Sequence, residues 1–356
     1  MIETSENNEE KSAPSGGIFK NALVCLDNSG HSNRGVDIAV SIAQRFNTLL
    51  TGCHVYAALL HESRFRQMET TLPARYQKED ELKRQRDTHS VLIAKGLQII
   101  AESYITVFEA KCKEAGVGCV GKTMEGKNYL EIVRELQNNI YDLVILGALG
   151  LGATEASRIG SVCERVARRA PSNVFVVKED RMIDGRIVVS VDGSPDSFAA
   201  LKQSVALGKA FGVDVEAVSA YDPQFHYSAF KNIAGILSEE AGRLFRFKEQ
   251  EMLHGEIIDN GLAKIYRKHL DMARDIARDD GLVMEMETTL LVGKPYEQIL
   301  KHVEKVRPSL LVMGRVGVHA DSALDIGSNT ENCLRQSPCN MLIARSAPFP
   351  PRDTDY

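Results

Sequence analysis

The chain is one unit written twice, and that repeat constrains its fold more than any other feature. The run Ala22-Leu23-Val24-Cys25-Leu26-Asp27-Asn28-Ser29 returns as Ile187-Val188-Val189-Ser190-Val191-Asp192-Gly193-Ser194, so that Asp27 meets Asp192 at an offset of 165. Tyr56/Tyr221, Lys83/Lys248, Gln85/Gln250, His89/His254, Ile93/Ile258, Gly96/Gly261 and Leu97/Leu262 keep that offset. It then becomes 167: Gly126-Lys127-x-Tyr129 matches Gly293-Lys294-x-Tyr296, and Gly147, Gly150, Gly160 and Ser161 match Gly314, Gly317, Gly327 and Ser328. A two-residue length difference between Leu97 and Gly126 accounts for the slip.

Each unit alternates short aliphatic runs with stretches of helical periodicity. In the first, strands are expected at 20–27, 48–56, 117–124, 142–147 and 173–178, with helices over 32–46, within about 78–115, and over 129–138 and 160–169. The second unit repeats the pattern, with strands near 185–192, 213–221, 282–291, 309–314 and 340–345. Apolar strands separated by helices predict a parallel sheet covered on both faces, because right-handed crossovers place helices there. The expected fold is therefore α/β: two tandem doubly wound domains, residues 18–178 and 185–345, each a five-stranded parallel sheet in the order 3-2-1-4-5. Residues 1–17 and 346–356 read as disordered tails, and a short charged segment around 178–185 as the junction.

A length of 356 residues suits two domains that each bury a core. A net charge of −5 and a sequence pI near 6.0 argue against a nucleic-acid partner. The apolar runs fall short of the ~20 residues a membrane helix needs. The first 17 residues are polar and acidic, which favours a cytoplasmic protein without a membrane partner. The seven cysteines form no CxxC pair and several fall in strand-like runs, which reads as buried free thiols.

After the fourth expected strand of each unit comes a glycine pattern: Gly147-x-x-Gly150, nine residues, then Gly160-Ser161 opening a helix, and likewise Gly314-x-x-Gly317 with Gly327-Ser328. Glycines let the backbone approach an anion closely, and a helix opening with Gly-Ser presents unpaired N–H groups and a hydroxyl to a phosphate. In an open α/β sheet ligands sit beyond the carboxyl ends of the strands, where the strand order reverses. In the order 3-2-1-4-5 the ends of strands one and four flank that reversal, so Asp27 or Asp192 would face the glycine loop across one crevice. A purely structural alternative makes the glycines turn and packing residues and Asp-x-Ser a helix cap.

Strand one ending in Asp-x-Ser, and G-x2-G-x9-G-S running into a helix and a last strand, resemble the universal stress protein family in both units. The closing stretch Cys333-Leu334-Arg335-Gln336-Ser337-Pro338-Cys339-Asn340-Met341-Leu342-Ile343 is similar to that family's last helix and strand. The resemblance implies ATP as ligand, with Mg2+ as a possible companion and AMP, ADP or a dinucleotide open as alternatives. It implies Asp27 and Val55 on the adenine and ribose side of the first unit, with Gly147, Gly150, Gly160 and Ser161 at the phosphates. In the second unit it implies Asp192 and Ala220, with Gly314, Gly317, Gly327 and Ser328. Arg315, between the two glycines of the second loop where the first has Ala148-Leu149, is expected at the second site, and the polar Asn329 beside it.

Gly116-Val117-Gly118-Cys119-Val120-Gly121-Lys122-Thr123 formally matches a P-loop, but its context is a helix end followed by a strand, the reverse of what a P-loop needs. Gly126-Lys127 and Gly293-Lys294 read as turns with a solvated lysine, or as a charge offered to a ligand or partner. The segments 57–100 and 222–265 are longer than plain crossovers and carry His89 and His254, which a protein partner or a metal would suit as well as a helix surface. Three functions stay open. The first is an adenine-nucleotide-binding stress or regulatory protein whose ligand alters conformation or association, with the tandem chain forming a homodimer. The second is a slow ATPase or other nucleotide-using enzyme, for which no nucleophile and base recur in both units. The third is a scaffold working through its helical inserts.

Overall fold

The computed structural model describes residues 18–154, 158–223, 257–282, 285–318 and 325–346, with single positions 232, 236, 249 and 252. Of the expected tails at 1–17 and 346–356 only Ser346 is described, and it is held in place, its N–H donating to Asp196 Oδ1 at 2.8 Å; the rest, with His254 and most of the 222–265 segment, lies outside the described residues. In the first half the elements run β1 (Asn21–Cys25), α1 (Gly30–Phe46), β2 (Leu49–Tyr56), α2 (Ala58–Met68), α3 (Glu79–Glu114), β3 (Cys119–Glu125), α4 (Asn128–Asn138), β4 (Leu143–Gly147), α5 (Ser161–Arg169) and β5 (Asn173–Val177). In the second they run β6 (Ile187–Ser190), α6 (Pro195–Phe211), β7 (Val215–Tyr221), α7 (Ala263–Asp279), β8 (Glu287–Val292), α8 (Pro295–Val306), β9 (Leu310–Gly314), α9 (Ser328–Gln336) and β10 (Asn340–Ala344).

Each half is parallel and doubly wound, as its strand and helix periodicities dictate. The two halves do not form separate sheets: the order β3-β2-β1-β4-β5-β10-β9-β6-β7-β8 is a single ten-stranded sheet. Its one change of direction is the antiparallel pairing of β5 with β10, where Phe175 faces Leu342. Each last strand thereby gives its unpaired edge to the other, which removes two exposed edges. The junction is packed as well. Ile183 is buried, and Asn340 Oδ1 accepts from Lys178 N at 2.8 Å and Glu179 N at 3.2 Å. Asn173, the counterpart of Asn340, accepts from Arg345 N at 3.0 Å, so the two halves are related by an approximate twofold.

Two apolar layers sandwich the sheet and run through both halves. One contains Ile38 and Ile42 of α1, Phe108 of α3, Leu201 of α6 and Leu270 of α7. The other contains Ile132 of α4, Val166 of α5, Ile299 of α8 and Leu334 of α9. The central strands are buried on both faces, and Leu143, Val144 and Ile145 of β4 are wholly inaccessible. All seven cysteines are free thiols, five of them buried.

One sequence expectation is narrowed here and another changes. The two-residue slip is localised between the positive-φ turns at Gly116 and Gly281 and the edge strands, since Gly52 pairs with Gly121 while its counterpart Ala217 pairs with Thr288. The statement about apolar length also fails for α3. This helix is 36 residues long and includes an 18-residue window of mean hydropathy 1.5, long and apolar enough by those measures to cross a membrane. The charges at the two ends of the helix, Glu79, Asp80 and Glu81 in its first turn and Lys111 and Lys113 in its last, mask the apolar middle.

Candidate functional site

At the carboxyl ends of β1 and β4, the sequence folds into the same device twice. Ser29 caps α1 and accepts from Ser32 N, and Ser194 caps α6 and accepts from Ser197 N. Each serine hydroxyl in turn donates to the carboxylate two residues back, Ser29 Oγ to Asp27 Oδ1 and Ser194 Oγ to Asp192 Oδ1, both at 2.6 Å. The caps thus hold the acids by one oxygen and leave Oδ2 turned toward the glycine loop.

That loop comes as close as a chain can. A Cβ on Gly150 would lie 2.6 Å from Asp27 Oδ2, and one on Gly317 would lie 2.6 Å from Asp192 Oδ2. Gly147 and Gly314 serve packing: a Cβ there would strike His31 Cβ at 2.8 Å or Ser197 N at 2.7 Å, where the first helix of each half crosses the end of β4 or β9. The returning strand of each loop is closed by Gly160 N to the Ala148 carbonyl at 2.7 Å and Gly327 N to the Arg315 carbonyl at 2.8 Å. Gly160 and Gly327 then stand as the N-caps of α5 and α9, with Ser161 and Ser328 as first helical residues. The first N–H groups of a helix have no intrahelical acceptor and carry the positive end of its dipole, so each crevice ends in an anion-favouring terminus.

The crevices have different sizes. The first, about 730 Å³, is lined by Asp27, Val55, Gly147, Gly150, Gly160 and Ser161, and is roofed by Leu97, Ile100 and Tyr104 of α3. The second, about 230 Å³, is lined by Asp192, Ala220, Gly314, Gly317, Gly327 and Ser328, with Asn329 beside them and Tyr266 of α7 above. Thirteen of the fourteen residues singled out from the sequence therefore line these two spaces.

Arg315 is the exception and corrects the expectation. Its side chain is 2% exposed and turns out of the crevice: Nε donates to the Asp325 carbonyl at 2.6 Å, Nη1 to the Ala170 carbonyl at 3.1 Å, and Nη2 to the Arg168 carbonyl. Buried carbonyls of the other half outbid an open crevice for its five donors.

The sequence missed other wall residues. In the first half His54 Nδ1 donates to the Leu26 carbonyl at 2.5 Å and its ring meets Tyr104 edge-on at 5.0 Å. At the counterpart position Ser219, buried and off the wall of the second crevice, makes the corresponding bond from Oγ to the Val191 carbonyl at 2.6 Å. Tyr266 stacks on Tyr221 at 5.4 Å, and burial with the nearby Asp192 carboxylate pushes its phenol up. On the floor of the first crevice Cys25 and Cys53, paired in register, bring their sulfurs to 4.0 Å. The hydrogen bond to Cys53, then burial, raises the Cys25 thiol well above its ordinary value, and burial takes Cys163 to about 12 against the opposing Lys178 ammonium, with Glu164 adding a smaller push, so these thiols are protonated at neutral pH.

β3 runs through the P-loop lookalike, and Lys122 pairs with Glu135 of α4. Lys127 and Lys294 lie over the rings of Tyr129 and Tyr296, at 5.4 and 4.9 Å. His89 stacks on Phe65 of α2 at 4.1 Å, and among the described residues no cluster of three or more metal-type ligands occurs.

Fold and site together define a tandem α/β protein whose halves each set a carboxylate against a glycine loop at the switch point of the strand order. The universal stress protein family model matches twice, at residues 18–178 and 185–345, and the chain belongs to that family. Universal stress protein Rv1996 of Mycobacterium tuberculosis is 28% identical over 205 residues, covering 56% of this chain and 62% of the relative. Universal stress protein MJ0531 of Methanocaldococcus jannaschii is 24% identical over 170 residues, 48% of this chain and 87% of the relative. The chain thus spans less than two thirds of the mycobacterial relatives it matches. Among solved structures, a universal stress protein from Archaeoglobus fulgidus superimposes with a TM-score of 0.57 at 15% identity, covering 92% of this chain and 98% of its own. A putative universal stress protein from Pseudomonas aeruginosa gives 0.55 at 14%, covering 92% and 93%. These likenesses are of fold.

Proposed function

We propose that this stress protein binds one ATP in each crevice and acts through binding, its ligand altering the conformation or association of the two halves. The observation that carries this reading is the close approach of Gly150 to Asp27 and of Gly317 to Asp192. It puts a carboxylate suited to ribose hydroxyls one loop away from a helix N-terminus suited to phosphate, on the same side of the sheet. The adenine and ribose would lie by Asp27 and Val55, or by Asp192 and Ala220, and the phosphates by Gly160-Ser161, or by Gly327, Ser328 and Asn329. Mg2+, where it accompanies the nucleotide, is expected to be held mainly by phosphate oxygens and water.

The test is titration calorimetry with ATP on the full chain and on Gly150→Glu and Gly317→Glu. Each glutamate would fill the approach with bulk and like charge. Each change is expected to remove one of two binding events, and if neither alters ATP binding the assignment to these loops fails.

A further inference from the structure

Arg315 occupies a place that a glycine loop does not itself require. The corresponding residue of the first loop is Ala148, and both loops close through the same backbone hydrogen bond. Burying a guanidinium is costly unless its donors are met. Arg315 meets that condition in part outside its own half, at the Arg168 and Ala170 carbonyls. These lie at the C-terminal end of α5, where carbonyls lack intrahelical donors and the helix dipole is negative, so a cation there both caps and neutralises.

The other end of α5 is Gly160-Ser161, the phosphate end of the first crevice. The helix has nine residues, a rigid length of about 13.5 Å between the two ends. Its flank is also tied to the second half. Arg335 of α9 pairs with Glu164 at 2.5 Å, and Arg168 pairs with Glu331, a reciprocal set across the approximate twofold. The return contact is built differently: the Ser337 carbonyl after α9 accepts from Lys178 Nζ at 2.8 Å, a residue at the end of β5 and not in the first loop.

We infer that Arg315 is a positioning residue for the first crevice: a side chain carried by the second glycine loop fixes the helix whose N-terminus forms the first crevice's phosphate end. The inference rests on the reading of the crevices as nucleotide sites. It makes the coupling lopsided, because the loop-borne link runs from the second half to the first. A substitution at Arg315 therefore acts on the distant crevice more than on the loop that carries it, the opposite of a local structural defect.

The test uses the full chain with one crevice blocked at a time, Gly317→Glu leaving the first open and Gly150→Glu the second. Arg315→Ala, which gives the second loop the residue found in the first, is expected to weaken ATP binding about fivefold or more at the first crevice and to change the second less than about twofold. Arg315→Lys keeps a cation without the fork and is expected to recover part of the loss, and it carries the test if the alanine variant does not fold. A loss confined to the second crevice, or equal at both, overturns the inference. Hydrogen exchange on nucleotide-free protein gives an independent readout. Amides of Glu164 and Ala170, which donate to the Gly160 and Val166 carbonyls, should exchange about tenfold faster in the variant, and their counterparts Glu331 and Ser337 much less so. Unchanged exchange in α5 overturns the inference. Faster exchange in α5 combined with no ATP binding by either blocked protein would sink the nucleotide reading and leave the positioning role standing.

Discussion

The first crevice encloses about 730 Å³ and the second about 230 Å³, although both are framed by the same carboxylate, capping serine and glycine spacing. The halves also differ in side chains. Beside the first crevice Phe108 of α3 packs onto Gly52, and the counterpart positions in the second half are the buried alanines Ala273 and Ala217. Where the first floor carries Cys25, Cys53 and Cys163, the second has Ser190, Val218 and Thr330, and Thr330 Oγ1 donates to the Gly314 carbonyl at 2.7 Å. The contacts between loop and acid–serine pair differ too: Val318 N donates to Asp192 Oδ2 at 3.1 Å in the second half, while Ser29 Oγ reaches the Leu149 carbonyl at 3.2 Å in the first. Duplication has thus kept the backbone device that presents a carboxylate and a helix terminus, and let the walls diverge. The halves should share a ligand class and differ in how much room surrounds it.

The largest effect should come from making the first half resemble the second. Phe108 is 1% exposed, and its ring would lie 2.5 Å from a Cβ on Gly52. Phe108→Ala is expected to cost about 3–5 kcal/mol in urea unfolding. Phe108→Ala combined with Gly52→Ala should recover part of that loss, because the second half has buried alanines, Ala273 and Ala217, at both counterpart positions. A full-sized loss in the double variant would show that the two pairings are not equivalent solutions. Next come the loop substitutions: Gly150→Glu and Gly317→Glu should each weaken ATP binding at their own crevice about a hundredfold, or about 2.7 kcal/mol. Unequal losses would show that the larger crevice lets its nucleotide avoid the added side chain.

A smaller effect separates the halves by pH. Burial lowers the ammonium of Lys178 to about 8, whereas its counterpart Arg345 is also pushed down by burial but stays charged. A lysine with a folded pKa below its unfolded value of about 10.4 is protonated more in the unfolded chain across pH 8 to 10. Stability therefore rises with pH in that window. Lys178→Met should lose this rise, on the order of 1 kcal/mol between pH 7.5 and 9.5, when urea midpoints are compared with those of the parent protein. An unchanged pH profile in the variant would show that Lys178 is hydrated. The smallest effect concerns the reciprocal ion pairs. The Arg335 guanidinium, with Arg168 beside it, holds Glu164 below the usual carboxylate range. Its contribution is present above about pH 4.5 and fades as pH falls through the depressed folded value. Glu164→Gln should cost less than about 1 kcal/mol at pH 7 and less again at pH 3.5, measured in the same way.

Much of this was legible because duplication prints the same constraint twice. The Asp27/Asp192 strand ends, the paired glycine spacings and the helices opening at Ser161 and Ser328 follow from local chemistry, and the parallel order sets them at one edge of the sheet. What sequence could not show depends on contacts between the halves. Nothing in the β5 and β10 runs announces that Phe175 and Leu342 pair antiparallel, because any unpaired apolar edge strand reads alike. Arg315 was read toward the nearest anion site, but its rotamer is decided by the Arg168 and Ala170 carbonyls, which only the assembled twofold brings within reach. Tyr104 and Tyr266 escaped notice because helical periodicity marks them as core-facing without saying that the core there is a crevice wall.

Native mass spectrometry of the freshly purified full chain, followed by denaturation and identification of the released small molecules, tests the central claim most directly. The account predicts about two ATP per chain, falling to one in Gly150→Glu and in Gly317→Glu. A chain that is empty on purification and takes up no ATP at millimolar concentration would contradict it.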